Sequence, residues 1–247
     1  APDGGLFVPD LDAVDGWPSV GPEASLADRL APFLAPEFDQ VQTERLVAET
    51  LSFDLPLVRL EPGLWLLELV HGPSAAFKDV GARFLARALA AVGGDGQRRT
   101  VLVATSGDTG GAVAAAFHGV PGVRVVVLFP ADGVTALQRR QFSTLGDNVQ
   151  AIAVPGPFDA CQALVKAALS SPELRESHGL TSANSINVGR LLPQMLYYWA
   201  ATDALRAEGV EAPPVFVVPS GNLSNVGAGI MAARTAIPGA RFVAALN

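Results

Sequence analysis

Beyond about Pro62 the chain alternates apolar runs of strand length with alanine-rich stretches of helical period. The runs are Leu64–Val70 (LWLLELV), Thr100–Ala104 (TVLVA), Val123–Phe129 (VRVVVLF), Val149–Val154, Val215–Val218 and Arg241–Leu246 (RFVAAL). Helices are predicted over Phe77–Val92 (stopping at Gly93-Gly94), Gly111–Phe117, Thr135–Leu145, Asp159–Ser170, Arg190–Glu208 and Val226–Thr235. Uninterrupted Val/Leu runs predict strands buried on both faces, and the alternation predicts right-handed βαβ units. The expected fold class is α/β, with doubly wound, mostly parallel sheets. Before Pro62 the chain is dotted with prolines and carries short helical patterns at Ser25–Leu34 and Gln42–Leu51. There is no internal repeat and no low-complexity tract.

Composition narrows the function classes. Seventeen basic residues against 24 acidic ones leave a net charge of −7, which argues against a nucleic-acid or anionic-membrane surface. The longest uncharged stretch, Ala212–Ala233, contains Pro213, Pro214, Pro219, Gly221, Asn222 and Asn225, and reads as a strand, a loop and a helix start rather than a membrane span. The start, APDGGLFVPD, lacks the basic and apolar regions of a signal peptide, so a cytoplasmic location is expected. The end, directly behind an apolar strand, reads as a truncation. A single cysteine, Cys161, excludes an internal disulfide and reads as a small core residue. His71, His118 and His178 have no metal-ligand spacing and no telling acidic or serine partner, so no metal is expected. Only Lys78 and Lys166 are lysines, and Lys166 fits an exposed helix face, as do Arg139 and Arg140.

In parallel sheets ligands bind outside the carboxyl ends of the strands, so the strand-to-helix junctions carry the candidate chemistry. In HGPSAAFKD, Lys78 lies in the first turn of a helix among apolar neighbours. The macrodipole and desolvation both disfavour the ammonium, which suits a Schiff-base or general-base lysine. The competing reading is a surface lysine paired with Asp79. In TSGDTGG (Thr105–Gly111) small and hydroxyl residues leave main-chain amides open to a carboxylate or phosphate. Neither the P-loop nor the dinucleotide pattern is present, and an ordinary cap by Ser106 or Asp108 is the alternative. SANSINVGR (Ser182–Arg190) offers a donor-rich cradle with Arg190 as a fork, or simply turn and cap residues. PSGNLSN (Pro219–Asn225) suits a loop that wraps a phosphate, or a plain β–α turn.

HGPSAAFKD, ATSGDTGGAVAAAF, FDACQALVK, SANSINVGRLLPQ and VPSGNLSNVGAG, in that order, resemble the threonine synthases. The resemblance runs from GGLFVP to RFVAALN. It implies a tryptophan-synthase-β-like fold (fold type II) with pyridoxal 5'-phosphate as cofactor, and conversion of O-phospho-L-homoserine and water to L-threonine and phosphate. Lys78 would then be the lysine in imine linkage to the cofactor and the base that moves protons at Cα and Cβ. Asp108 matches the position that approaches the cofactor's 3-hydroxyl. Gly221, Asn222, Leu223, Ser224 and Asn225 match the loop around its phosphate. Ser106, Gly107 and Thr109 would receive the substrate carboxylate or phosphate, and Asn184, Ser185 and Arg190 the substrate phosphate.

Leu223 and Ser224 stand where the family usually has Phe and Gly; serine restricts φ where glycine does not, which reshapes the loop, and its hydroxyl adds a donor. The family also extends well beyond Asn247. The implied domains are a mainly helical region 1–62, an α/β domain 63–210 holding Lys78 and the SGDTG loop, and 211–247 as the start of a larger, incomplete cofactor-binding domain. The expected partner is the small-molecule substrate, in a monomer or homodimer. Two other readings remain open on the sequence: another fold-type-II lyase, such as a serine/threonine dehydratase or phospho-amino-acid lyase, and a truncated, non-catalytic remnant that binds phosphorylated metabolites.

Overall fold

A computed structural model describes residues 21, 23–35, 37–93, 98–185 and 187–246. Gly94, Asn247 and the first twenty residues, where the family resemblance begins, lie outside the described residues. The chain divides into two compact units: residues 1–69 with 188–247, and residues 70–187. These boundaries differ from those expected at 62/63 and 210/211.

In the first unit, α1 (Leu26–Leu34) and α2 (Gln40–Thr50) each begin with a reciprocal capping box, Ser25 with Asp28 and Asp39 with Gln42. Next come β1 (Leu57–Glu61) and β2 (Leu64–Leu67), paired antiparallel around Gly63. The predicted strand at Leu64–Val70 is therefore one arm of a hairpin and not part of a parallel sheet. Its partner β1 escaped prediction because polar and charged residues interrupt it.

In the second unit the chain runs through α3 (Lys78–Val92), β3 (Arg99–Ala104), α4 (Asp108–Phe117), β4 (Val123–Pro130), α5 (Ala136–Ser143), β5 (Val149–Val154), α6 (Phe158–Ser170), α7 (Pro172–His178) and β6 (Leu180–Ser182). The four strands are parallel in the order β5-β4-β3-β6. Alternate residues of β3 feed two cores. Val101 and Val103 pack with Ala112, Val113 and Phe117 of α4, and Leu102 and Ala104 pack with Cys161 and Val165 of α6. Helices thus cover both faces, the doubly wound arrangement read from the sequence. β6 returns to the far side of β3, so the order reverses at β3, where ligands bind in such sheets.

The first unit resumes with α8 (Val188–Leu191), a 3₁₀ turn (Leu192–Gln194) and α9 (Met195–Ala207), so the single helix predicted over Arg190–Glu208 is broken. Pro193 cannot donate an amide at that point. It ends with β7 (Val215–Pro219), α10 (Ser224–Thr235) and β8 (Arg241–Ala245), with β7 and β8 parallel. α9 belongs here because it packs on α10: Trp199 donates to the Ala232 carbonyl at 3.2 Å, and α1 joins through the ion pair of buried Arg29 with Asp203 at 2.8 Å. Val217 and Val243 are exposed, so burial on both faces fails for β7 and β8, which have no further strands beside them among the described residues. Among the described residues no helix is long and apolar enough to cross a membrane.

Candidate active site

Within residues 70–187 the candidate groups collect at the carboxyl end of β3. Lys78 opens α3, and the turn ahead of it is tied down by Asp79. That buried carboxylate accepts from the Ser74 amide at 2.9 Å and the Ser74 hydroxyl at 2.8 Å. The reading of Lys78 as a surface residue paired with Asp79 is thereby overturned. Gly72 is required in the turn, since a Cβ there would lie 2.5 Å from Asp79 Oδ2. Lys78 Nζ lies 3.4 Å from Asp108 Oδ2 and 4.5 Å from the centre of the Phe77 ring, with its side chain 22% exposed.

Asp108 opens α4, three residues before the predicted start at Gly111. Its Oδ1 accepts from Gln138 Nε2 at 3.1 Å. The buried Thr105 hydroxyl shapes the turn, accepting from the amides of Gly107 at 3.1 Å and Gly110 at 2.9 Å and donating to the Gly107 carbonyl at 2.8 Å. The amides of Ser106, Asp108 and Thr109 have no acceptor among the described residues. They face outward at a helix start, the setting that attracts anions. Asn184 reaches the same edge from the end of β6, its Nδ2 donating to the Ala104 carbonyl at 3.0 Å, while Ser185 is half-buried beside it.

In the other unit, Ser220 through Leu223 connect β7 to α10. The Ser220 amide continues the strand ladder to the Ala245 carbonyl at 3.0 Å, and its hydroxyl is buried with no hydrogen-bond partner. Gly221, Asn222 and Leu223 are exposed, and the amides from Gly221 through Asn225 meet no acceptor among the described residues. Leu223 has φ +55°, in the left-handed region, while Ser224 is the first helical residue. The constraint expected at Ser224 therefore falls on Leu223.

The Asn225 side chain is turned into the protein. Its Oδ1 lies 2.6 Å from the Tyr197 hydroxyl and 2.7 Å from that of Tyr198. Burial pushes both phenols above their ordinary range, with the neighbouring Tyr198 adding to the rise at Tyr197 and Arg190 opposing it, so both stay neutral donors. Arg190 is buried in α8, and its carbonyl accepts from Gln194 Nε2 at 2.7 Å.

Gln138 and the two tyrosines were missed as candidates from the sequence, and Thr105 and Ser220 were read only as members of their turns, with no role of their own. Only Gln138 carried a readable signal: Thr135 and Gln138 have capping-box spacing. His118 Nε2 lies 3.1 Å from Asp147 Oδ2, a partner too distant in sequence for its spacing to have signalled it.

The model of a family described as pyridoxal-phosphate dependent enzyme matches residues 48–246. The threonine synthase of Haemophilus influenzae is 48% identical over 211 residues, covering 85% of this chain and 49% of that protein. The crystal structure of threonine synthase from Escherichia coli superposes with a TM-score of 0.83 at 42% identity, covering 98% of this chain and 56% of that one. The pyridoxal-phosphate-bound threonine synthase of Brucella melitensis gives a TM-score of 0.81 at 36% identity, over 96% and 53%. The chain spans about half the length of the curated relatives it matches.

Proposed function

We propose, from the premise that this chain belongs to the family of pyridoxal-phosphate dependent enzymes, that it is part of a threonine synthase acting on O-phospho-L-homoserine and water. The observation that carries the proposal is the position of Lys78, against Asp108 and beside the open amides of Ser106, Asp108 and Thr109 at the end of β3.

The residues present fit the cofactor. A phosphate dianion needs donors, and the turn from Ser220 to Asn225 offers unaccepted amides, a buried hydroxyl without a partner and no carboxylate. Ser220, which the family comparison of motifs passed over, joins Gly221, Asn222, Leu223 and Ser224 as a phosphate contact. Asn225 contributes through its amide, since its side chain is committed to the tyrosines. Lys78 would supply the amine that joins the cofactor aldehyde, and Asp108, whose Oδ2 lies 3.4 Å from that amine, would meet the 3-oxygen of the ring. When bound, the cofactor supplies an electron sink for charge released at the substrate Cα.

The Lys78 amine would act as the base that takes the substrate Cα proton and later moves the Cβ proton. The open amides of Ser106 and Thr109, with Gly107 giving clearance, hold the substrate carboxylate and orient Cα towards the base. Asn184, Ser185 and Arg190 are assigned to the substrate phosphate, where donors stabilise the departing charge. A cytoplasmic location and a monomer or homodimer belong to the same proposal.

The test is borohydride reduction of the protein mixed with pyridoxal phosphate, followed by peptide mapping and an assay of phosphate release from O-phospho-L-homoserine. A reduced adduct on Lys78, lost in Lys78→Ala, together with threonine formation, is the expected result. An adduct on Lys166, or turnover of serine but not of phosphohomoserine, would replace this reading by that of a different lyase.

A further inference from the structure

The parallel sheet of residues 70–187 has a second concave surface, at the end of its strands opposite Ser106–Thr109. There the residues entering β3 and β4 and the turn 119–122 surround a cavity of about 730 Å³. β3 has six residues, and at ~3.3 Å per residue this places the cavity roughly 20 Å from the Thr105 turn. It is a separate place in the molecule.

Arg98, Arg99, Arg124 and His178 line this cavity, and Asp147 is the one carboxylate among the described lining residues. Asp147 is already bonded to His118. None of the three guanidiniums donates to, or pairs with, another described residue, whereas Arg29, Arg45 and Arg206 each have a carboxylate partner. One ordinary cause for cations here is that α4 ends at this edge with its carbonyls outward. Of those carbonyls, that of Phe117 accepts from Asn148 Nδ2 at 2.8 Å, and none accepts from an arginine side chain. The arginine donors meet no acceptor among the described residues, in a chain whose net charge is −7.

We propose that this cavity binds a small polyanion of two or three linked phosphate groups, recognised through the phosphates alone. Guanidinium forks match phosphate oxygens two at a time, and three arginines, with Arg99 and Arg124 coming from opposite faces of adjoining strands, are among the residues that line one concavity. The volume is within the range of small-molecule sites, roughly 300–1,000 Å³. Among the described lining residues there is no Phe, Tyr or Trp, and His178 is the one aromatic ring.

The test is calorimetric titration of the protein with inorganic tripolyphosphate at low salt, with and without saturating pyridoxal phosphate, and with ATP in parallel. Saturable binding is expected, unaffected by pyridoxal phosphate, of similar strength for ATP, and weakened about tenfold or more by Arg99→Gln or Arg124→Gln. Arg124 is exposed on its strand, so Arg124→Gln carries the test even where Arg99→Gln fails to fold. Absence of saturable binding would overturn the proposal. So would competition by pyridoxal phosphate, affinity unchanged by Arg124→Gln, or far tighter binding of ATP than of tripolyphosphate.

Discussion

Gln138 donates its side-chain amide to one oxygen of Asp108 at 3.1 Å while the other oxygen of that carboxylate faces Lys78 at 3.4 Å. The carbonyl oxygen of the same Gln138 side chain accepts from the Thr135 amide at 3.1 Å, so one residue caps α5 and orients Asp108. Gln138→Ala removes both and is expected to cost about 1 kcal/mol of stability for the cap. Gln138→Glu keeps the cap and sets a like charge against Asp108. It should therefore unfold near the wild-type temperature yet give a lower yield of reduced cofactor adduct on Lys78. Thermal denaturation and adduct mapping of the two variants together check the division of roles.

The turn before Lys78 hangs on Asp79 and Ser74. Asp79→Ala leaves the Ser74 amide and hydroxyl unpaired in a buried position and is expected to destabilise by about 2–3 kcal/mol. Ser74→Ala removes only the hydroxyl bond and should cost less, about 1 kcal/mol. Urea titrations of the two variants and their double variant measure the coupling directly, and additive effects would refute the clamp.

Leu223 occupies the left-handed region with its side chain largely in solvent. For an L-residue this conformation costs roughly 1–2 kcal/mol, and more for a β-branched one. Leu223→Gly is expected to be neutral or stabilising, and Leu223→Val to destabilise by about 1 kcal/mol. Chemical denaturation decides, and a stabilising valine would show that the turn is not strained there.

Tyr197 and Tyr198 ionise with more difficulty in the folded protein than in the unfolded chain, whose phenols titrate near 10. With the folded value raised, the contribution of the neutral phenols is complete below pH 10. Above that the unfolded state loses protons first and stability falls as pH rises towards the folded values. Tyr198→Phe is expected to be less stable at neutral pH but to lose less between pH 10 and 11. Urea midpoints at pH 8, 10 and 11 for both proteins give the comparison, and equal slopes would exclude a tyrosine contribution.

The parallel strands at Thr100, Val123 and Val149 were legible because a strand buried among helices leaves an unbroken apolar run, and β3 feeds both cores. β1 was not, since four of its five residues are exposed and its pattern is that of a loop. The start of α4 was placed three residues late because Asp108 and Thr109 are weak helix formers, held there by the Thr105 hydroxyl rather than by propensity. The site divides in the same way. Lys78 and the open turns lie in contiguous segments that sequence reading can isolate. Gln138, thirty residues from Asp108, and the tyrosines, nearly as far from Asn225, reach their partners only through tertiary packing.

The inward turn of Asn225 sets which letters of the Pro219–Asn225 turn are free to vary. A library randomised from Asn222 to Asn225, and at Tyr197 and Tyr198, should keep many members that differ at 222 to 224, because those positions meet solvent or begin a helix and offer the ligand main-chain amides that any residue but proline supplies. Position 225 should be nearly invariant among survivors. Where it does change, compensating replacements should surface at Tyr197 and Tyr198, inside α9, far along the chain from the turn under selection.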